Sequence, residues 1–354
     1  MKKLITLFVL SLLFFGAEAQ TLTQLYTSSD MLNDIAVAND NAIYAVGDKI
    51  VVIKDGQTLE YSAPEELFSV FPLSATQAWA VGGQTILSYD GTDWKPEPFL
   101  GSGTLYRVWG YDGEVFITGS RNDTAFLLQL VANVFEQKAE MAGAIFLGMN
   151  AYSGSGKLYI AGSYTYPGAD KVPAVFRFEN NAVVKTNQSS ADTTHFGCKL
   201  ERNTYGGFLM NTDVENLYTI LGVSISLAPY NGYCRSICVN GTDQLFMANG
   251  NGIIVSDQQT LSGGYQTLVT GENVFDIEYQ NSHLFILTDR NTIKIMGPFA
   301  GIEEIEKNKA AQTGPVELYN LIGQQIFTPI ENLPTGIYLR RVGNYSQYFI
   351  HPGR

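Results

Sequence analysis

The chain has 354 residues, 12% of them aromatic and 16% charged, with 34 acidic against 22 basic residues and a formal net charge of −12 at pH 7. That balance makes nucleic acid a poor partner, because holding a phosphate backbone requires a basic face. The length suits one large β domain with a small appendage.

The chain opens MKKLITLFVLSLLFFGAEAQ: two lysines, an apolar run from Leu4 to Phe15, then Ala17-Glu18-Ala19 ahead of Gln20. This is the three-part pattern of a secretory signal peptide, with cleavage expected after Ala19. The apolar run is shorter than the roughly 18 to 20 residues of a spanning helix. No cysteine follows the cleavage point, which argues against a lipid anchor. No later segment reaches a spanning length, so the mature chain is expected to carry no transmembrane segment. Removing the first 19 residues leaves 335, with 20 basic and 33 acidic residues and a balance of −13.

From residue 20 to about residue 299 one phrase returns: AIYAVGD around Tyr44, QAWAVGG around Trp79, EVFITGS around Phe116, KLYIAGS around Tyr159, GGFLMNT around Phe208, QLFMANG around Phe246 and HLFILTD around Phe285. Each is an aromatic within an apolar strand that ends at a small or turn-forming residue. An earlier strand precedes each aromatic by about one strand plus one hairpin turn: NDIAV, FSVFP, YRVWG, FLGMN, CKLER, RSICV and FDIEY. Short runs rich in Val, Ile, Phe and Tyr, separated by Gly, Asn and Asp, predict antiparallel strands joined by tight turns. Sustained helical periodicity is absent. A unit of this size cannot bury both faces of its own sheet, so the units must stack, and radial stacking gives an all-β β-propeller. Seven phrases predict seven blades; six or eight also fit if the weakly patterned fifth unit, Asn211 to Gly232, is divided differently. The segment Thr21 to Ser29 is expected to complete the last blade and close the ring, which removes an exposed sheet edge. The repeated aromatics read as packing between neighbouring blades. Trp109 and Tyr164 to Tyr166 read instead as isolated loop aromatics.

Within the second unit, Ser88-Tyr89-Asp90-Gly91-Thr92-Asp93-Trp94 resembles the Asp box of sialidases and related propellers, one residue short between Asp90 and Gly91. The turn physics survives the shortening: Asp90 can bond the amides of its own turn, Gly91 supplies a positive φ, and Trp94 packs the hairpin on the sheet. The resemblance implies a structural turn between the third and fourth strands of a blade, away from a catalytic face, and so indicates fold rather than reaction. Sialidase chemistry also needs a trio of arginines. Those of the propeller, Arg107, Arg121, Arg177, Arg202, Arg235 and Arg290, lack the family's sequence context. Asp34, Glu65, Glu66, Asp276 and Glu278 could supply a glycosidase carboxylate pair, but no constellation selects them. Nucleophile-elbow, phosphate-loop and EF-hand patterns are missing. No catalytic residue, metal or cofactor is therefore assigned. Cys198, Cys234 and Cys238 are odd in number; they read as buried thiols, with a Cys198–Cys234 bridge as the alternative. Asp123-Thr124-Ala125 and Asp192-Thr193-Thr194 resemble short bacterial O-glycosylation motifs.

Residues 300–313 read as a linker and 314–354 as a small β unit. In that tail Val316, Leu318, Tyr319, Asn320, Gly323 and Gln324, followed by Leu333, Pro334, Gly336, Ile337 and Tyr338, resemble the two motifs of the C-terminal sorting domain of the type IX (Por) secretion system. The usual opening strand of that sandwich-like domain is missing, and an ordinary terminal β-hairpin is the alternative. The resemblance implies export by the type IX machinery and a secreted or cell-surface location. The sequence thus leads to a surface or secreted propeller acting as a binding or structural module for an extracellular glycan or protein. The alternative is a glycoside hydrolase or lyase with carboxylates at the mouth of the channel.

Overall fold

A computed structural model of the chain describes residues 22–39, 41–111, 113–151, 157–166, 170–188, 197–202, 207–212, 216–221, 224–240, 244–257, 265–297, 316–320, 325–326, 336–342 and 345–351. The signal-peptide and linker segments, and Asp192-Thr193-Thr194, lie outside these residues. The described residues contain strands and no helix. The chain divides into two compact units, Met1–Gly297 and Pro298–Arg354.

The first unit is a propeller of seven four-stranded antiparallel sheets. The first strands of the blades are Leu32–Val37, Ser69–Ser74, Thr104–Tyr111, Ala144–Ala151, Gly197–Arg202, Ser236–Val239 and Val274–Gln280. Each packs against the first strands of both neighbours, so together they ring the central channel. The blade 5 segment that is weakly patterned in sequence is a complete four-stranded sheet, Gly197–Arg202, Phe208–Thr212, Asn216–Leu221 and Ser224–Asn231. Blade 7 takes its fourth strand from the N-terminus: Thr23–Thr27 pairs antiparallel with Thr292–Met296, with Thr23 opposite Ile295 and Thr27 opposite Thr292. The ring is closed by backbone hydrogen bonds between distant parts of the chain, and the edge that blade 7 would expose is covered.

The core consists of layers between blades. Tyr44, Leu67 and Tyr89 pack between blades 1 and 2, Trp79, Ile117 and Phe126 between blades 2 and 3, and Phe116, Phe146 and Phe176 between blades 3 and 4. Burying each such side chain contributes about 1.5–3 kcal/mol. One repeat position needs correction. Asp34 pairs with Val46 and Lys199 with Asn211, both just after a bulge, so Leu209 rather than Phe208 occupies the place of Tyr44. Phe208 packs with Tyr159, at 4.8 Å between rings.

In the second unit, Gln325–Ile326, Val316–Asn320, Gly336–Val342 and Tyr345–His351 form one antiparallel sheet in that order.

Candidate functional site

The first strand of a blade is a sheet edge, so alternate backbone amides and carbonyls point into the channel without a ladder partner. In five blades this strand carries a bulge near its start, at Leu32/Asp34, Leu105/Arg107, Phe146/Gly148, Gly197/Lys199 and Val274/Asp276, and in blade 2 one at its end, at Pro72/Ser74. A bulge re-aims the side chain that follows it. Ser69 and Ser236 hold the equivalent pairing positions in blades 2 and 6, opposite Val81 and Ala248. The result is a belt around the neck of the channel: Asp34, Ser69, Arg107, Gly148, Lys199, Ser236 and Asp276.

Four members of the belt, Asp34, Ser69, Ser236 and Asp276, satisfy an orphan amide of the next blade. Oδ2 of Asp34 accepts the Val70 amide at 2.8 Å, and Oγ of Ser69 accepts that of Val108 at 3.2 Å. Ser236 Oγ accepts the Ile277 amide at 3.4 Å, and Oδ2 of Asp276 accepts that of Ile35 at 3.2 Å, closing the cycle onto blade 1. Cations cross the neck between non-adjacent blades. Arg107 donates to Asp34 at 2.9 Å, while Lys199 donates to the Ile277 carbonyl at 2.9 Å and stands 3.5 Å from both Asp276 and Glu278.

Burial in this belt raises the Asp34 carboxyl to about 7, against the pull of Arg107 and with the charge of Asp276 adding to the rise. Burial likewise raises Asp276, but Lys199, Arg107 and the Ser236 hydroxyl outweigh it and hold that carboxyl below its usual range. For Lys199 burial disfavours the charge, yet Asp276, Glu278 and Glu201 more than offset this and raise it. These are the signs expected where desolvation competes with close opposite charges.

Two residues further along each first strand, where the side chain returns to the same side, stand Ala36, Phe71, Trp109, Asn150, Glu201, Cys238 and Glu278. All except Cys238 line a cavity of about 150 Å³ toward the lower end of the channel, where the first strands end. Burial pushes Glu201 up to about 8 and raises Glu278 as well. Trp109 also forms a wall of a second cavity, about 210 Å³, in the lower cleft between blades 3 and 4, beside Tyr111, Glu114, Gln129, Lys157 and Glu179. Trp109 and Tyr111 lie nearly parallel, 6.0 Å apart with 6° between planes, and Phe71 leans on Trp109 at 6.4 Å. Gln129 donates to Glu114 at 2.8 Å, and Lys157 stands 3.5 Å from Glu179. An aromatic platform rimmed by paired carboxylates, an amide and an ammonium suits a ligand that is apolar on one face and rich in hydroxyls at its edge.

Several expectations from sequence change here. Trp109 is neither in a loop nor isolated: it belongs to a strand and joins two cavities. Tyr164 and Tyr166 form a pair at 5.0 Å that holds Lys185 over both rings. Asp34 and Asp276 are not at a channel mouth but are spent within the belt, at 1% and 7% exposure. Glu65 and Glu66 stand apart from them on the upper rim, where the first strands begin, held by the Gln84 amide and the Asn33 side chain. The arginines do not converge as a trio: Arg107 is in the belt, Arg121 pairs with Glu140, Arg177 with Glu179, and Arg235 and Arg290 flank Phe275. Sequence reasoning singled out neither Lys199 nor Glu201.

Ser88, Asp90, Gly91 and Trp94 lie at the hairpin joining Thr85–Tyr89 to Trp94–Glu97, the third and fourth strands of blade 2. Asp90 Oδ1 accepts the Thr92 and Asp93 amides, each at 3.0 Å, Gly91 has φ +97°, and Trp94 rests 5.1 Å from Tyr89 and 6.3 Å from Tyr44. Ser88 donates to Glu97 across the hairpin. Blade 1 grips this turn, with Lys54 donating to the Gly91 carbonyl at 2.8 Å and Tyr61 to that of Thr92 at 3.0 Å.

None of the three cysteines is in a disulfide, and burial raises the thiols of Cys234 and Cys238. Among the described residues no group of three or more His, Cys, Asp and Glu could hold a metal ion. Thr124 follows the upper turn of blade 3 at Asp123. Of the tail motif, Val316, Leu318, Tyr319 and Asn320 lie in one strand and Gly336, Ile337 and Tyr338 in the strand paired with it, Asn320 opposite Tyr338. Gly323, Gln324, Leu333 and Pro334 lie outside the described residues.

No family model matches the chain, and no curated protein matches it. Among solved structures it is similar to virginiamycin B lyase from Staphylococcus aureus (TM-score 0.63, 13% identity, 78% of this chain and 99% of that one). It is also similar to YCF48 bound to D1 peptide (TM-score 0.59, 14% identity, 79% and 96%). A third is the extracellular domain of a putative hybrid two-component system from B. thetaiotaomicron (TM-score 0.63, 13% identity), where 95% of this chain covers 46% of that one. The chain thus spans about half the length of that extracellular domain. At these identities the similarity is one of fold alone.

Proposed function

We propose that the chain is an extracellular binding module whose propeller seats a saccharide on its lower face, at the junction of the channel and the cleft between blades 3 and 4. The observation that carries this reading is Trp109, one ring walling both cavities and stacked against Tyr111. The pattern of the first 19 residues and the motif from Val316 to Tyr338 support export by the type IX machinery to the cell surface or beyond. The similarity of fold to the extracellular domain of a putative hybrid two-component system is in keeping with that location. No described helix is long and apolar enough to cross a membrane.

A carbohydrate-active enzyme is the second reading, and the cavity favours it less. Glycoside hydrolysis needs one protonated and one ionised carboxyl facing the bond. The carboxyls that reach the channel cavity, Glu201 and Glu278, are both raised, Glu114 and Glu179 in the cleft are held by Gln129 and Lys157, and the low one, Asp276, is bound within the belt. A glycan array with the mature protein tests the binding reading, and saccharide binding that weakens on Trp109→Ala is the expected result. An array and a pull-down from extracellular material that both return nothing would overturn it. Deleting residues 314–354 tests the export route: cell-surface protein that persists after the deletion would overturn type IX sorting.

A further inference from the structure

The upper rim of the channel carries two guanidiniums for which the described residues supply one carboxylate. Arg235 lies in the loop leading into blade 6 and Arg290 in the turn between the second and third strands of blade 7. Their Cζ atoms stand 3.9 and 4.9 Å from the centroid of the same ring, that of Phe275. Arg290 bonds the Asn33 amide oxygen and approaches Glu66 at 3.7 Å, while its Nε is buried with no hydrogen-bond partner among the described residues. Arg235 has no hydrogen bond or ion pair through its guanidinium among them. Burial and Arg290 disfavour its charge; Tyr233 and, more weakly, Asp276 act on it through space, but the Asp276 carboxylate is occupied by Ser236 and the Ile35 and Ile277 amides. The position of Arg235 is nonetheless fixed. Its amide donates to the Ala248 carbonyl at 2.8 Å, and its carbonyl accepts from Asn211 at 3.0 Å.

A partly buried, unpaired guanidinium beside a second one is unfavourable on its own, because each raises the cost of the other's charge. Glu66 offsets Arg290, leaving roughly one uncompensated positive charge at Arg235. That favours a monoanion, a carboxylate, over a phosphate dianion, and the planar guanidinium matches a carboxylate with two parallel hydrogen bonds. On the same rim Met31 is 46% exposed, and the backbone after it is tied to the Arg290 turn, the Leu32 amide donating to the Arg290 carbonyl. An exposed methionine adapts to varied apolar side chains.

We propose that this rim is a second binding site, taking a carboxylate of an acidic peptide segment between Arg235 and Arg290 with a neighbouring apolar side chain on Met31. It is separate from the saccharide seat, which lies at the opposite end of the channel.

The test is fluorescence anisotropy of the mature protein with a labelled peptide of alternating Glu and Leu, its Gln/Leu counterpart, and oligogalacturonate. The Glu peptide should bind and weaken by about tenfold or more on Arg235→Gln, the loss of one charge-assisted contact. It should also weaken as salt rises from about 50 to 300 mM. Trp109→Ala should leave it unchanged, so failure here and failure of the saccharide reading are distinguishable. Met31→Glu, which adds a like charge without touching the arginines, should weaken it too and serves if Arg235→Gln does not fold. Equal binding by wild type and both rim variants, equal binding of the Gln peptide, binding of oligogalacturonate but not the peptide, or no binding would each overturn the proposal.

Discussion

Nη1 of Arg107 stands 2.9 Å from Oδ1 of Asp34, an ion pair that reaches from blade 3 to blade 1 across the neck of the channel. The carboxylate is almost wholly buried and also holds the Val70 amide of blade 2. Above about pH 7, where Asp34 is ionised, removing the cation leaves a buried charge uncompensated, which costs about 3–5 kcal/mol. Arg107→Met is therefore expected to destabilise the propeller by that amount in denaturant unfolding. Asp34→Asn combined with Arg107→Met should cost less than the sum of the two, because the residues act as one unit. A loss under about 1 kcal/mol for Arg107→Met would mean that the belt does not hold the blades together.

The same belt sets a pH dependence of stability. Asp34 at about 7 and Glu201 at about 8 bind protons in the folded state that the unfolded chain has released above about 4. Their stabilisation is complete below the unfolded values and is lost as pH rises through 7 and 8. Asp276, held low, acts in the opposite sense, and its contribution is lost in acid. Thermal melts should show a maximum near about pH 5 and a decline toward pH 8, and Asp34→Asn or Glu201→Gln should flatten the decline. Stability that rises steadily from pH 5 to 8 would contradict these assignments.

The Gly91 turn makes a prediction that separates structure from binding. Its φ of +97° disfavours any side chain, and an added Cβ would meet Thr76 at 3.0 Å. Gly91→Ala should cost about 1–2 kcal/mol and loosen the grip of Lys54 and Tyr61 from blade 1, with saccharide binding unchanged. Loss of binding without loss of stability would place the turn in a ligand site.

Ring closure rests on a five-residue strand. Deleting residues 22–29 removes the partner of Thr292–Met296 and bares the edge of blade 7. The deletion should lower the melting temperature, broaden the transition and promote association of the protein, seen by light scattering. A variant that stays monomeric with an unchanged melt would show that closure does not depend on this strand.

The blades were legible in the sequence because strands, turns and inter-blade aromatics recur within each unit, where local pattern suffices. The N-terminal closure was legible because one blade lacked a strand and one strand lacked a blade. The belt was harder to see. Asp34, Arg107, Lys199 and Asp276 come together only through rotation about the channel axis, and the bulges that aim them leave no period in the chain. A signal was nevertheless present: aligned on their second residue, NDIAV, FSVFP, YRVWG, CKLER, RSICV and FDIEY stack Asp34, Ser69, Arg107, Lys199, Ser236 and Asp276 in one column. In blade 4 the segment FLGMN starts one residue earlier, so the belt position is its third residue, Gly148, which has no side chain to mark the column. Lys199 and Glu201, read alone, resemble the polar half of any exposed strand, and Phe208 drew the blade 5 alignment one residue out because an aromatic outweighed register.

The central claim is that Trp109 anchors a bound saccharide at the end of the channel. It is tested most directly by titrating the mature wild type and Trp109→Ala with the strongest hit from a glycan array, by calorimetry, and by analysing the glycan afterwards for cleavage. Intact glycan is expected, and an affinity lowered about tenfold or more in the variant from loss of the stacking contact, with the variant melting lower but still cooperatively because Trp109 also packs on the core between blades 3 and 4. Equal affinity in both proteins, or cleavage of the glycan by the wild type, would contradict it.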